Sequence, residues 1–242
     1  GEQGVDAEGI YEEQGVGAAM ARNVQQEGAQ ELLDICFSHP IRLIANALGV
    51  PPAAMLERGK AAGVPVAALV GAKEHAINQV QAGVDILVVS GGEAGGHCGE
   101  VSTLVLVPEV HAAIQPYGDV PILAAGGIVS GQQMAATMAM GAAGAWTGSV
   151  WLTTAEANTP AAVKDKMLAA TSRGTVRAKS RTGKYSRQLR SAWTEAWEAE
   201  GSPDPLPMPL QALVSEPALR KIDQLAESGH EGAMRLSTYW VG

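Results

Sequence analysis

Two cysteines, Cys36 and Cys98, are all that 242 residues contain. That is too few for a disulfide framework or a zinc knuckle, and a reduced, cytoplasmic setting is the expectation. Aromatic residues are equally scarce, with one Phe, four Tyr and five Trp. No run of 18 apolar residues is present to span a bilayer, and no signal-peptide pattern opens the chain. Basic charge is short as well: the formal net charge is −8. The one basic stretch, Arg173 to Arg190, reads as a solvated or phosphate-facing segment, so nucleic acid and membrane are not expected partners. His39, His75, His111 and His230 lack metal-ligand spacing, and no metal site is expected.

What the chain does have is small and apolar. Apolar residues make up 46% and charged residues 17%, with 29 glycines, a composition for a folded α/β protein with close helix-on-sheet packing. The stretch Val84 to Glu100, VDILVVSGGEAGGHCGE, organises the rest. An aliphatic run broken only by Asp85 predicts a strand buried on both faces, as in a parallel sheet. It runs into a loop of bare glycine backbone with one imidazole, His97. A His just past the C-terminal end of a parallel strand is where α/β barrels place chemistry. The plainer alternative is a flexible loop with an incidental surface His.

Around this stretch a unit repeats. Strands are predicted over Ile41–Ala47, Val64–Val70, Val84–Val89, Val120–Ala125 and Ala143–Thr147, separated by helices. Glycines at 63, 83, 118 and 141 stand between a helix and the next strand, a left-handed cap device. Such alternation predicts five adjacent parallel strands, fewer than the eight of a closed barrel. Before them lies a poorly patterned lead-in over 1–28, with helix suggested over 17–26, then a helix over Ala29–Ser38 halted by His39-Pro40. Helix is expected from Pro108 in the 103–115 stretch. Beyond Trp151 the pattern turns helical: Pro160–Thr171, then Gln188–Glu200 with Leu189, Trp193 and Trp197 at helical spacing and the two Trp read as packing residues, and two short helices broken at Pro217. The segment 174–190 reads as irregular, and 203–209 as a stiff extended connector. The organisation expected is therefore a lead-in (1–28), a partial barrel (29–157) and a C-terminal, mostly helical segment (158–242) that packs on it or completes it.

Two further glycine turns close strands: Gly126-Gly127-Ile128 and Thr147-Gly148-Ser149. In a (β/α)8 barrel the loops after the last two strands bind phosphate through bare backbone N–H groups. These turns, together with His97, predict an anion site beside a proton-transfer group. Helix–strand packing is the non-functional alternative for the glycines.

The motifs GGEAGGHCGEVSTLVLVPEV, PILAAGGIVSGQQMAATMAMGAAGAWTGSVWL, GKYSRQLRSAWTEAWE and PLPMPLQ resemble the nitronate monooxygenase family, FMN-dependent (β/α)8 barrels, from about Ala29 onward. The resemblance implies FMN as cofactor, His97 as the catalytic residue, and FMN contacts from Ser90, Gly95, Gly126, Gly127, Trp146, Thr147, Gly148 and Ser149. Ser90 stands where a Gln is usual, and Ser149 where a Thr is usual. The implied activity is oxidation of an alkyl nitronate, a small anion, with O2. Alternatives are a flavin-dependent NAD(P)H oxidoreductase of enoyl-thioester or quinone type, and an inert phosphate-binding fragment. Because the chain opens at Gly1 without Met, and nothing in 1–28 resembles the family's first three strands, the five strands are expected to be strands four to eight of a partial barrel.

Overall fold

The computed structural model describes residues 26–242. Residues 1–25 of the lead-in lie outside the described residues, as does the helix suggested over 17–26 save Gln26; residues 26–28 of the lead-in instead belong to the first described helix. That helix, α1 (Gln26–Ser38), stops at His39-Pro40. Then β1 (Ile44–Asn46), α2 (Ala53–Ala62), β2 (Val66–Val70), α3 (Lys73–Gln81) and β3 (Ile86–Ser90) alternate. A two-residue strand, β4 (Gly96–His97), leaves this series, which resumes with α4 (Thr103–Ile114), β5 (Ile122–Ala125), α5 (Gly131–Ala139) and β6 (Gly144–Trp146). The five long-series strands form one sheet in the order β1-β2-β3-β5-β6. Every neighbouring pair is parallel, as the alternation predicted. This is an α/β fold with the strand order of a partial barrel. Among the described residues, β1 and β6 have no outer neighbour.

Because strand side chains alternate, each strand feeds two cores. Ala68, Val70, Leu87, Val89, Ile122 and Ala124 meet the helix residues Ala76, Val80, Leu106, Val107, Val110 and Ile114 in the larger core. Ala67, Val88 and Ala125 form a smaller cluster with Leu43, Leu69, Ile86 and Leu123 on the opposite, inward face. Asp85, the one polar break in the β3 run, accepts a hydrogen bond from the backbone N–H of Val66 at 2.8 Å. It thereby ties the start of β2 to the start of β3.

All four junction glycines adopt positive φ. Gly141 is the tightest: φ is 103°, and a Cβ there would stand 2.5 Å from the His111 ring. Gly63 has φ 65° with open space around it, so its constraint is conformational alone.

Downstream, the structure departs from the sequence reading in five places. The helix expected over Gln188–Glu200 is confined to Ala192–Glu198, because Gln188 and Leu189 pair with Val176 and Thr175 as strand. The basic segment 174–190 is not irregular. It holds β7 (Thr175–Ala178) and β8 (Ser186–Leu189), and β8 lies between β7 and β4 in a small antiparallel sheet. Part of its positive charge is engaged: Arg177 and Lys179 lie over the Tyr185 ring, each 4.8 Å from its centroid, while Arg173, Lys184 and Arg190 are exposed, as the solvated reading expected. Pro217 does not break a helix; α8 runs unbroken over Leu210–Glu227, following α6 (Ala161–Ala169) and α7 (Ala192–Glu198) and preceding α9 (Glu231–Leu236). Helix α4 begins at Thr103, not at Pro108. Leu106, Val107, Val110 and Ile114 are all at most 1% exposed, and their burial outweighs the one hydrogen bond that proline removes. Finally, the strands are one to three residues shorter at their N-terminal ends than the aliphatic runs suggest. Trp193 and Trp197 on α7 do pack together, ring centroids 6.0 Å apart.

The junction glycines yield a graded prediction. Gly63→Ala should cost about 1–2 kcal/mol for left-handed backbone alone. Gly141→Ala should cost about 2–5 kcal/mol, since overpacking against His111 adds to that strain. Urea denaturation of both variants would check the order.

Candidate functional site

Parallel register brings the C-terminal ends of β3, β5 and β6 level: Ser90 pairs with Ala125, and Ala125 with Trp146. Alternation turns this row to the inward face, above Leu69 and Val88. A cavity of about 280 Å³ opens there, and its lining contains all nine residues singled out in the sequence: Ser90, Gly95, His97, Gly126, Gly127, Trp146, Thr147, Gly148 and Ser149. Trp240 and Gly242, from the far end of the chain, complete it. No acidic side chain lines it.

The two glycine turns meet on one side of this space. Gly126 and Gly127 have φ of 106° and 67°, which lets the chain reverse directly after β5. The backbone N–H groups of Gly127 and Gly148 donate to no acceptor among the described residues. Two hydroxyls stand beside them with their acceptor side already in use. Thr147 Oγ1 accepts from Trp151 Nε1 at 2.9 Å, and Ser149 Oγ accepts from the N–H of Gly242 at 2.9 Å. Each keeps its own hydrogen to donate. The donor set therefore suits an oxyanion.

The first turn is held in place by Gln133, which the sequence reading passed over. Its Oε1 accepts from the N–H groups of Val129 (2.9 Å) and Ser130 (3.0 Å), while Nε2 donates to Gly127 O at 2.6 Å. Ser130 returns the bond to the Gln133 N–H, completing a capping box on α5. The Ser-x-x-Gln spacing was a legible signal. Glu93, in the glycine loop, accepts from Thr103 N at 2.8 Å, and the Thr103 hydroxyl lies 2.9 Å from the same carboxylate oxygen. A carboxylate that would repel an anion is instead committed to the N-terminus of α4.

His97 lines the same cavity. Its backbone is one of the two residues of β4, paired antiparallel with Ser186 of β8. Arg187 clamps the same junction, donating from Nε to Gly92 O at 2.9 Å and from Nη1 to Thr175 Oγ1 at 3.0 Å. The ring is held on two sides. Nε2 lies 2.8 Å from Thr182 Oγ1, and the Trp240 ring centroid is 5.6 Å away at 49°. Thr182, Lys184 and Trp240 were not identified from sequence; no local pattern links them to a loop some 85 to 140 residues earlier.

Partial burial, and after it the positive charge of Lys184, hold the His97 imidazole below the ordinary histidine pKa. The neutral, proton-accepting form thus predominates at pH 7. In an NMR titration His97 should titrate below a normal histidine. Lys184→Met, by removing a like charge, should move its midpoint upward. An unchanged midpoint would leave burial as the sole cause.

Comparison with known proteins places these features. The family model described as nitronate monooxygenase matches residues 5–241, so the likeness begins earlier than the motifs from Ala29 onward suggested. A Mycobacterium tuberculosis protein provisionally named monooxygenase Rv1533 is 54% identical over 234 residues, covering 96% of this chain and 61% of that protein. A Rhodococcus jostii protein, (3aS,4S,5R,7aS)-5-hydroxy-7a-methyl-1-oxo-octahydro-1H-indene-4-carboxyl-CoA dehydrogenase, is 35% identical over 174 residues, 72% of this chain and 48% of the relative. This chain thus spans about half to three fifths of the length of these curated relatives. Among solved structures, nitroalkane oxidase from Streptomyces ansochromogenes superposes with a TM-score of 0.73 at 24% identity, over 100% of this chain and 71% of that one, a likeness of fold. With a match over almost its whole length, the chain belongs to the nitronate monooxygenase family.

Proposed function

We propose that this chain is the flavin-binding portion of an FMN-dependent oxidoreductase that oxidises alkyl nitronates with O2, with His97 as its proton-handling residue. The observation that carries this reading is the single cavity of about 280 Å³ that joins donor-only turns to a neutral imidazole. FMN fits the donor set. Its phosphate would take the N–H groups of Gly127 and Gly148 and the hydroxyls of Thr147 and Ser149. Ser90, Gly95, Gly126 and Trp146 would line the remainder. The flavin, when bound, supplies redox chemistry that no side chain performs.

The chain's own residues account for the proton. Thr182 Oγ1 lies 3.3 Å from Lys184 O, which can only accept. Donation there leaves the Thr182 oxygen to accept Nε2–H of His97, and Nδ1 then carries the lone pair that takes a proton. A neutral His97 can remove the α-proton of a nitroalkane; the nitronate anion arrives without needing that step.

A second reading is supported by an adjoining cleft. About 570 Å³ in volume, it shares Ser90, Leu69 and His97 with the first cavity and is walled by Leu48, Val50, Val70 and Met208. That space exceeds what a small nitronate fills. Together with the thioester named for the Rhodococcus relative, it favours a flavin-dependent reductase or dehydrogenase of a larger acyl substrate.

The two readings separate in steady-state assays of flavin-loaded protein with a nitronate against NADPH plus an enoyl thioester. Under the first, His97→Asn should retain FMN and lose about 10²–10⁴-fold in kcat/KM on a neutral nitroalkane. The loss should be smaller on the pre-ionised nitronate. Equal losses on both would assign His97 to binding geometry instead of proton transfer.

A further inference from the structure

The last five residues of the chain run into the site from outside the barrel series. Thr238 Oγ1 lies 2.7 Å from Leu189 O and 3.3 Å from Gln188 Oε1, and Leu189 N donates to Tyr239 O at 2.9 Å. Trp240 bridges to Gln188 in antiparallel fashion, extending the small sheet of β4, β8 and β7 by one short segment. Upstream, the segment is anchored by Lys166, whose ammonium donates to the carbonyl oxygens of Met234 (2.9 Å) and Ser237 (2.5 Å). Ser237 in turn donates to Asp223 at 3.0 Å.

Downstream of that anchor the segment touches both halves of the site. Trp240 contacts both the Arg181 guanidinium, 4.7 Å from its ring centroid, and the His97 ring, tilted at 49° to it. Arg181 is paired with Glu216 on α8. Val241 and Gly242 then pass directly over the glycine loop. A Cβ on Gly95 would lie 2.8 Å from Val241 Cα, and one on Gly242 would lie 2.1 Å from Glu93 O. Glycine at both positions is what lets the two backbones touch. The path ends with Gly242 N–H donating to Ser149 Oγ at 2.9 Å.

We infer that the segment 238–242 is a positioning element of the anion site, with Gly242 acting through Ser149. A hydroxyl has one hydrogen and can rotate it toward any acceptor. With its oxygen occupied by Gly242 N–H, and no acceptor among the described residues for its hydrogen, Ser149 is left to donate into the cavity. Trp240, arriving on the same segment, walls the far side against His97. The segment thus couples the oxyanion-binding turn to the wall that holds the imidazole. This inference rests on the flavin reading only for the identity of the ligand; the docking of the segment is independent of it.

Two measurements on this chain decide it. In ligand-free protein, amide hydrogen exchange at Gly242 should be slowed relative to an unstructured peptide, and Ser149→Ala should remove that protection. Equal exchange in both proteins overturns the docking. For ligand binding, Gly242→Ala and Ser149→Ala should each weaken FMN affinity about ten-fold, the loss of one hydrogen bond to a charged group. The double variant should be no weaker than Ser149→Ala alone, because both act through one hydroxyl; additive losses would mean that Gly242 serves only the fold. Should the wild-type chain bind no FMN, the flavin reading falls. The same cycle with inorganic phosphate then tests the segment, and phosphate affinity unchanged by Gly242→Ala overturns it.

Discussion

Everything about the site depends on one short junction, the antiparallel pairing of Gly96–His97 with Ser186–Arg187. A glycine-rich loop has too much conformational freedom to hold an imidazole in one place; fixing each residue costs about 1–2 kcal/mol in backbone entropy. The protein meets that cost by adding the loop to a second sheet. Two ladder positions, the Arg187 clamp on Gly92 and the Thr182 contact to Nε2 leave the His97 ring one orientation. The parallel sheet supplies a rim, and the hairpin from much later in the chain supplies the rigidity.

Electrostatics sort the same way. On the rim, acidic groups are absent from the cavity lining, and Glu93, one of the two carboxylates in the glycine loop, is held by the first residue of α4. That bond has two effects. It engages one carboxylate oxygen at the N-terminus of α4, away from the cavity lining, and through Thr103, whose hydroxyl lies 3.1 Å from Gly126 O, it ties the first loop to the second turn. Lys184 adds a positive charge beside His97, which favours the neutral ring and attracts a small anion at the same time.

Under the proposed function, the two sheets would divide labour between binding and proton transfer. The donors of the anion turns come from β5, β6 and their following residues, all local to their strands. The environment of His97 comes from β8, from the 179–185 turn and from the segment after α9. Substitutions in the hairpin are therefore expected to act on His97 without touching the anion turns. The segment 238–242 reaches both, through Trp240 at His97 and Gly242 at Ser149.

The amino-acid sequence by itself determined the series of strands and helices, their parallel order and the residues of the glycine turns. Each of these is written in local pattern: aliphatic runs such as Ile86–Val89, and glycine at the four junctions where only a left-handed backbone fits. It pointed to His97 in the loop after β3 for the same reason, since a strand's end and the loop after it are neighbours in sequence. The hairpin 175–189 was hidden because its four-residue strands carry Arg and Gln at inward and paired positions, where cation–π contacts and hydrogen bonds replace apolar burial. Helix α4 was misplaced because its start is set by Glu93 and by core packing, not by proline preference. What only the tertiary structure decided is what surrounds the imidazole and completes the anion turns: Thr182, Lys184, Trp240 and Gly242. These reach the site through pairings between segments 85 or more residues apart, and a side chain's partner across such a distance is chosen by chain topology, which no local periodicity encodes.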